Sequence, residues 1–405
     1  LSPAAAETVL TRLAIEGRLV EGEFRPGGTR REWTDAGVLR TLRRRSLAKL
    51  RHEIEPVDQS VLGRLTTTWQ GIVKRRHGAD ALLDAIEQLQ GAPLPASILE
   101  TEILPARIDN YDPADLDAVT AAGEVVWVGV EPLGDRDGRI ALYLADHLPE
   151  LLPPAFAPRG ASARLRPDRE LKIVNCLRAR GASFFAPLHD EVGGGYPGET
   201  VDAIWNLVWH GIVTNDTFHA LRAFTRTRAA SRRRTKRGGR DERPAFRSRR
   251  LAPPGAEGRW ALVRPMNTGV AQPPSQGFGV DLTKWSAAMA QQLLARHGVL
   301  TREAVGAESV PGGFGIVYPV LKALEEGGRV RRGYFVAGLG ATQFALPGAL
   351  DLLRSLRDTP DDPEIAVLAA TDPANPYGAT LKWPAFAAAA ASAGQARLDT
   401  TAASP

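Results

Sequence analysis

The sequence predicts an α+β fold, mainly helical, made of several small units in series, and three observations predict it. One phrase recurs four times: an amphipathic stretch ends at a glycine, and a β-prone run closes seven residues later on a large apolar side chain. The runs are Gly17–Phe24, Gly123–Val130, Gly211–Phe218 and Gly328–Phe335. Their glycines lie 106, 88 and 117 residues apart, too far for solenoid repeats of roughly 20–50 residues and about right for whole small domains. Hydrophobic residues make up 43% of the 405, enough to give each unit a core. Glycine suits the left-handed position past a helix end, and the run after it suits the first strand of a hairpin. Helix, glycine, strand, turn, strand is the second half of a winged helix, so the chain reads as tandem winged-helix domains. The same grammar also occurs in α+β domains of other kinds.

The first unit is expected over residues 1–52. Ser2 reads as an N-cap with Pro3 at the first helical position, and Val9, Leu10, Leu13 and Ala14 fall on one face. The hairpin follows, with Gly27-Gly28 at its tip, and then a helix from Asp35 with Val38, Leu39, Leu42, Leu47 and Leu50 inward. Its other face carries Arg40, Arg43, Arg44, Arg45, Lys49 and Arg51 with no interleaved acid. That face is either solvated or turned to a partner's phosphates. With no initiator Met and no first half to this unit, the chain reads as a piece of a longer polypeptide, its first winged helix halved.

Residues 53–158 are expected to form a helical domain ending in a wing-like hairpin. Helical runs occupy 60–69 and 79–89, another precedes Pro105, and Val125–Val130 and Arg139–Leu144 flank the turn Gly134-Asp-Arg-Asp-Gly138. Residues 159–225 read as a winged helix, with helices near 168–180, 182–189 and 199–210. Residues 226–280 read as a basic, Pro/Gly-rich linker, and 281–360 as another winged helix, whose helices fall near 281–297, 301–305 and 314–326. Residues 361–405 read as the start of a truncated β-barrel-like unit, opening with an apolar strand at Ile365–Ala370, followed by a low-complexity tail.

Charge points to a partner. Residues 226–250 hold eleven Arg and one Lys against Asp241 and Glu242, a net +10, while the whole chain is +5; the remainder therefore sums to −5. Such a strap is a solvated linker or a segment that follows phosphates, releasing counterions and reading no sequence by itself. Arg232, Arg233, Arg234, Lys236 and Arg237 are its densest part. In the first wing, Arg30 and Arg31 precede Trp33, which either stacks on an unpaired base or packs at the rim on Leu39. Trp127, Trp205 and Trp209 read as core. Asp372, Asn375 and Tyr377 sit in a proline-fixed turn that reads as structural, with a catalytic role as the alternative.

Other chemistries find no support in the pattern. There is no phosphate loop of the GxxxxGK[ST] kind, no metal-ligand spacing among seven His and one Cys, and no nucleophile constellation. No run of 18 apolar residues suggests a membrane span. A lone Cys176 fits a reducing compartment.

Several longer motifs resemble the large helicase-related (Lhr) proteins of bacteria: Arg43–Pro56, Gln88–Ala96, Ile103–Arg107 and Asp372–Gly378. The resemblance covers nearly the whole chain. It implies an ATP-dependent 3′-to-5′ DNA helicase of DNA repair, with two RecA-like motors, a winged helix, a further domain and, in long members, a C-terminal extension. That extension is similar to AlkZ-type DNA glycosylases and linked to uracil excision and oligomer formation. On that map this chain is a DNA-binding accessory region spanning the end of the helicase core and the start of the extension. Its partners would be single-stranded or tailed duplex DNA, the motor domains of the same polypeptide and further copies of itself, with no membrane. Trp33 matches the family's base-stacking aromatic, and Gly333–Ala345 resembles the wing shared with the glycosylase-like unit. ATP and Mg²⁺ are implied only for the motors, which lie outside this sequence, and a cytoplasmic, nucleoid-associated location is implied with them. No catalytic residue carries over. A base-excising glycosylase module and a winged-helix scaffold for assembly remain the alternatives.

Overall fold

A computed structural model describes residues 3–24, 32–52, 55–154, 168–225, 253–264 and 278–383. The four phrase glycines have one geometry. Gly17, Gly123, Gly211 and Gly328 have φ of +72°, +79°, +67° and +75°. Each donates its N–H to the carbonyl three residues back, and the next residue donates to the carbonyl five back. In the first unit these bonds are Gly17 to Ala14 and Arg18 to Leu13, both 2.9 Å; in the last they are Gly328 to Glu325 and Arg329 to Leu324, also 2.9 Å. This is the Schellman cap, which satisfies the last helical carbonyls and turns the chain into a strand.

The first unit comprises α1 (Pro3–Ile15), β1 (Leu19–Gly22), β2 (Glu32–Asp35) and α2 (Ala36–His52). β1 and β2 form a two-stranded ribbon with Glu21 opposite Trp33. Val9, Val38 and Leu42, expected to face inward, are 52%, 51% and 55% exposed. Two helices on a two-stranded ribbon offer one inner face, which Leu10, Leu13 and Leu39 half-occupy. The expected cap Ser2 and hairpin tip Gly27-Gly28, and the side chains of Leu47, Lys49, Leu50 and Arg51, lie outside the described residues.

Three further units follow, the fourth in a helix–strand–helix–helix–hairpin order; in the third an isolated bridge at Ser183 stands where that first strand would be. The second opens with α3 (Gln59–Trp69). It continues through α4 (Ala79–Leu89), β3 (Leu94–Pro95), α5 (Ala96–Ile98), a π turn at Leu99–Ile103, α6 (Leu104–Arg107), α7 (Pro113–Ala121), β4 (Val125–Pro132) and β5 (Gly138–Leu144). Helix α8 (Leu148–Leu151) follows. The third has α9 (Arg169–Arg180), α10 (Phe185–Glu191), α11 (Pro197–Trp209), β6 (Val213–Asn215), a helical stretch at 219–225 (α12) and β7 (Trp260–Leu262). The fourth has α13 (Phe278–His297), β8 (Val299–Leu300), α14 (Arg302–Ala307), α15 (Gly313–Glu326), β9 (Arg331–Gly333), β10 (Gln343–Ala345) and α16 (Pro347–Ser355). The sheets run β3-β5-β4 and β8-β10-β9, all antiparallel, and β6 pairs β7 with Ser183 bridging Trp260 on the far side. The short strand after the first helix thus joins the hairpin at its return strand, the winged-helix arrangement. Thr301 caps α14, its Oγ1 accepting from Ala304 N at 3.1 Å, as its type and position require.

Two departures follow from the pairing. Residues 226–252 were expected to begin a linker, yet β6 pairs β7 with Val213 opposite Leu262 and Asn215 opposite Trp260. The basic strap therefore interrupts the third unit's wing instead of separating two units, because fully buried Trp260 closes that unit's core. The expected strand at Ile365–Ala370 is irregular, with Ile365 and Val367 92% and 89% exposed. No neighbouring strand among the described residues offers it a ladder.

The second and third units share one core, from Leu82 through Trp260. Trp127 stacks on Trp205 at 6.3 Å and meets Phe218 at 5.9 Å, while Trp205 meets Trp260 edge-on at 5.7 Å. Aromatic pairs of this kind add roughly 0.5–1.5 kcal/mol each beyond burial. The close approach needs two glycines in the second hairpin. A Cβ at Gly129 would lie 2.2 Å from the Val208 carbonyl oxygen, and one at Gly138 would lie 2.4 Å from the Trp209 ring. Another core joins Val61, Leu62 and Leu65 of α3 to Phe335, Val336, Leu350 and Leu353 of the fourth unit and to Leu381.

Candidate nucleic-acid interface

The helices in the DNA-reading position are not basic. α7 carries Asp115 and Asp117 beside its cap Asp112. α11 buries Ala203, Ile204, Trp205, Leu207, Val208 and Trp209, leaving Glu199 and Asp202 in solvent. α15 exposes Lys322 beside Glu326, and α1 holds Arg12 against Glu16 at 3.1 Å. Glu199, Asp202 and Glu326 on these faces disfavour a phosphate backbone, and the indoles of α11 are turned into the core.

The cations lie elsewhere. Arg40, Arg43, Arg44 and Arg45 are exposed on α2, so three of the expected contact residues share a solvent-facing stretch. α2 runs beside β9, with Cα atoms within 8 Å, and β9 contributes half-buried Arg331 and Arg332, with exposed Arg329 just before it. Arg332 reaches Glu325 at 3.6 Å. Trp33 sits half-buried on β2, immediately ahead of α2. The expected contacts Arg30, Arg31, Arg232, Arg233, Arg234, Lys236 and Arg237 lie outside the described residues.

The base of the strap is firmly built. On its N-terminal side, Arg222 of α12 sits between two carboxylates of the second unit. Its Nε and Nη2 reach the Glu100 oxygens at 2.7 Å each, and Nη1 reaches Asp117 at 2.7 and 3.0 Å. Burial by itself would lower the Arg222 pKa, but those hydrogen bonds and charges raise it above its ordinary value. Tyr111 also donates to Glu100 at 3.0 Å, and burial, followed by the Glu100 charge, pushes the phenol far up. On the C-terminal side, Trp205 Nε1 donates to the Gly255 carbonyl at 2.8 Å, and Arg259 Nε pairs with Asp216 at 2.7 Å. The strap thus leaves and re-enters the fold beside one aromatic cluster. Sequence reasoning missed Arg222, because an arginine four residues before an arginine-rich strap carries no mark distinguishing clamp from contact.

The Asp372 turn is structural. Arg107 Nη2 and Nη1 meet the two Asp372 oxygens at 2.6 and 2.9 Å, both side chains being at most 2% exposed. The guanidinium also donates to Gln70 Oε1 at 2.5 Å and to the Ile103 carbonyl at 3.0 Å. A carboxylate so engaged has no free oxygen to act as a base. Arg296, fully buried, ties the second and fourth units together by bonding the Gln88 carbonyl at 3.1 Å, the Gln90 carbonyl and Glu308. Burial alone would raise the Glu308 carboxyl, but Arg296 and His297 outweigh it and hold the pKa down at about 2. Among the described residues no group of His, Cys, Asp and Glu could hold a metal ion, and no helix is long and apolar enough to cross a membrane.

Comparison with known proteins gives two matches to family models, each for a winged-helix domain of the large helicase-related protein, over residues 57–145 and 279–365. The chain is 42% identical over 396 residues to a Mycolicibacterium smegmatis protein named Lhr helicase/probable uracil glycosylase, an alignment covering 95% of this chain and 25% of that one. It is 34% identical over 395 residues to the Escherichia coli Lhr helicase/uracil glycosylase, covering 88% and 24%. The chain thus spans about a quarter of the length of these relatives.

Proposed function

Because the chain belongs to the large helicase-related family, we propose that it is the DNA-holding region of an Lhr-type, ATP-dependent 3′-to-5′ helicase of DNA repair. The observation that carries this reading is the separation of charge: acid or burial at the recognition positions, cations on α2 and in the third unit's wing. A molecule so arranged grips the phosphate backbone by counterion release and leaves base sequence unread. Trp33 supplies a platform on which an unpaired base stacks, so the ligand is single-stranded or tailed duplex DNA. ATP and Mg²⁺ bind to motor domains elsewhere in the same polypeptide, and the region works with the nucleoid in the cytoplasm. The relatives' names also include uracil glycosylase; we assign holding to this chain, whose Asp372, the turn carboxylate for which the sequence left a catalytic role open, is paired with Arg107.

Fluorescence anisotropy with labelled oligonucleotides tests the proposal. Affinity should be nearly independent of sequence, higher for single strands and tailed duplexes than for blunt duplex, and steeply salt-dependent. Affinity indifferent to salt, or a strong preference for one sequence, would overturn it.

A further inference from the structure

The second unit is acidic. Residues 55–154 hold seven Arg and Lys against seventeen Asp and Glu, a net −10. Three of those seven cations, Lys74, Arg75 and Arg76, are consecutive in the loop between α3 and α4. The other four are all engaged. Arg64 donates to the Leu356 and Arg357 carbonyls, Arg107 pairs with Asp372, Arg139 pairs with Glu131, and Arg136 also has a partner. Lys74 and Arg75 differ: both are exposed, and among the described residues neither has a hydrogen bond or an ion pair. Asp80 and Asp109, exposed close by, pair with neither. Arg76 does pair, with Asp84, but both side chains are more than half exposed, and exposed pairs of this kind are weak. The loop is held in place at Arg76. Its N–H donates to the Arg107 carbonyl at 3.4 Å and its carbonyl accepts from Asp109 N at 2.8 Å, beside the buried Arg107–Asp372 pair. Lys74, Arg76 and Asp84 line a cavity of about 230 Å³ whose other polar lining includes Thr68, Gln70 and Gln88, room for a phosphate group with several waters.

We propose that this loop is a further contact for the DNA backbone, in the second unit and apart from α2 and the strap. One phosphate sits at the mouth of the cavity between Lys74 and Arg76, and Arg75 holds a neighbouring phosphate. Side by side, like charges repel, and inside an acidic unit the nearby carboxylates could neutralise them; that two remain free leaves their counter-charge to come from outside. A polyanion supplies it and gains from releasing its own counterions. Arg76 exchanges Asp84 for the phosphate at little cost, because its present pair is solvated. A row of cations along an open loop fits a chain of phosphates better than a single free anion, which needs donors converging on it from several sides. The backbone pinning at Arg76 keeps the row in place before DNA arrives. No bond is made or broken in this site.

The inference rests on the reading of the chain as a DNA-handling region, and its test separates the two. Single-strand affinity of the full chain would be measured by anisotropy at several salt concentrations, beside the double variant Lys74→Gln with Arg75→Gln. Both side chains are exposed and without partners, so the unfolding midpoint should not move. Two lost phosphate contacts should lower the slope of log affinity against log salt by about 1.4, so that a fourfold rise in salt costs the parent about sevenfold more affinity than the variant. Asp84→Asn removes the acid from the cavity and releases Arg76, and should tighten binding by about twofold. Inorganic phosphate at about 10 mM and constant ionic strength should not displace the oligonucleotide. Parallel slopes for parent and double variant, or weaker binding by Asp84→Asn, would overturn this inference while leaving the DNA-holding reading in place. Displacement by phosphate from the parent and not from the double variant would make the loop a free-anion site and overturn it too. Absence of salt-dependent binding by the parent would overturn the DNA-holding reading and this inference with it.

Discussion

Replacing Asp372 with Ala removes one carboxylate 265 residues away in sequence from the guanidinium it neutralises. Arg107 would keep Gln70 and the Ile103 carbonyl but would remain a buried cation without its counter-charge. The turn would also lose the bond from Ala374 N to Asp372 Oδ1 at 2.8 Å. Breaking a buried pair in this way costs about 3–5 kcal/mol, since the desolvated charge left behind is the larger part of the penalty. For the second and fourth units that the pair helps join, about 200 residues together, each kcal/mol lowers the unfolding midpoint by roughly 2–4 °C, so a fall of roughly 6–20 °C is expected. The double variant Arg107→Met with Asp372→Leu removes both charges and fills the space with apolar groups of similar volume, and it should recover most of the loss. Calorimetry of the single and double variants measures the coupling directly. A single variant within about 0.5 kcal/mol of the parent, or a double variant as unstable as the sum of its parts, would refute the argument that this turn is a buried electrostatic joint.

Glu308 makes stability acid-sensitive. Its folded pKa, about 2, lies below its unfolded value, so its contribution of about 3 kcal/mol is fully present above about pH 5 and is lost as pH falls toward 2. Glu308→Gln should flatten that part of the stability profile measured by denaturant titration. Gly138→Ala places a methyl 2.4 Å from the Trp209 ring and should cost about 1–3 kcal/mol by overpacking, whereas Gly134→Ala, with nothing within 4 Å of its Cβ, should cost only the strain of its positive φ; chemical denaturation separates the two. Trp33→Ala should weaken single-strand binding by about 1–3 kcal/mol without changing its salt dependence, which anisotropy titrations at two salt concentrations would show.

The repeated glycine phrase was legible because a Schellman cap is a local device. It needs φ near +70° at one residue, and the side chains that follow declare the strand. The first three helices of the third unit and of the fourth were legible for the same reason, their apolar spacing and caps lying within a few residues of one another; α12 and α16 were not read from the sequence. What stayed hidden was long-range. The pairing of Val213 with Leu262 spans the whole basic strap, and no local signal distinguishes a wing insertion from a linker of the same composition. Arg107 and Asp372 stood in two of the motifs that carried the family resemblance, yet nothing in either stretch announces that they touch. Val38 and Leu42 show the reverse failure. Their spacing is that of a core-facing stripe, but burial depends on what covers a face, and over this ribbon the described fold brings nothing close enough.

In the proposed function this region holds DNA through the phosphate backbone, using cations placed away from the recognition helices. The most direct measurement is the salt dependence of single-strand affinity for the chain and for a variant in which Arg232, Arg233, Arg234, Lys236 and Arg237 are replaced by Gln. The fold at the base of the strap, pinned by Arg222, Trp205 and the β6–β7 pair, should leave the unfolding midpoint unchanged. Five lost phosphate contacts should lower the slope of log affinity against log salt by about 3.5, so that a fourfold rise in salt costs the parent about a hundredfold more affinity than the variant. Parallel slopes for the two proteins would contradict the claim.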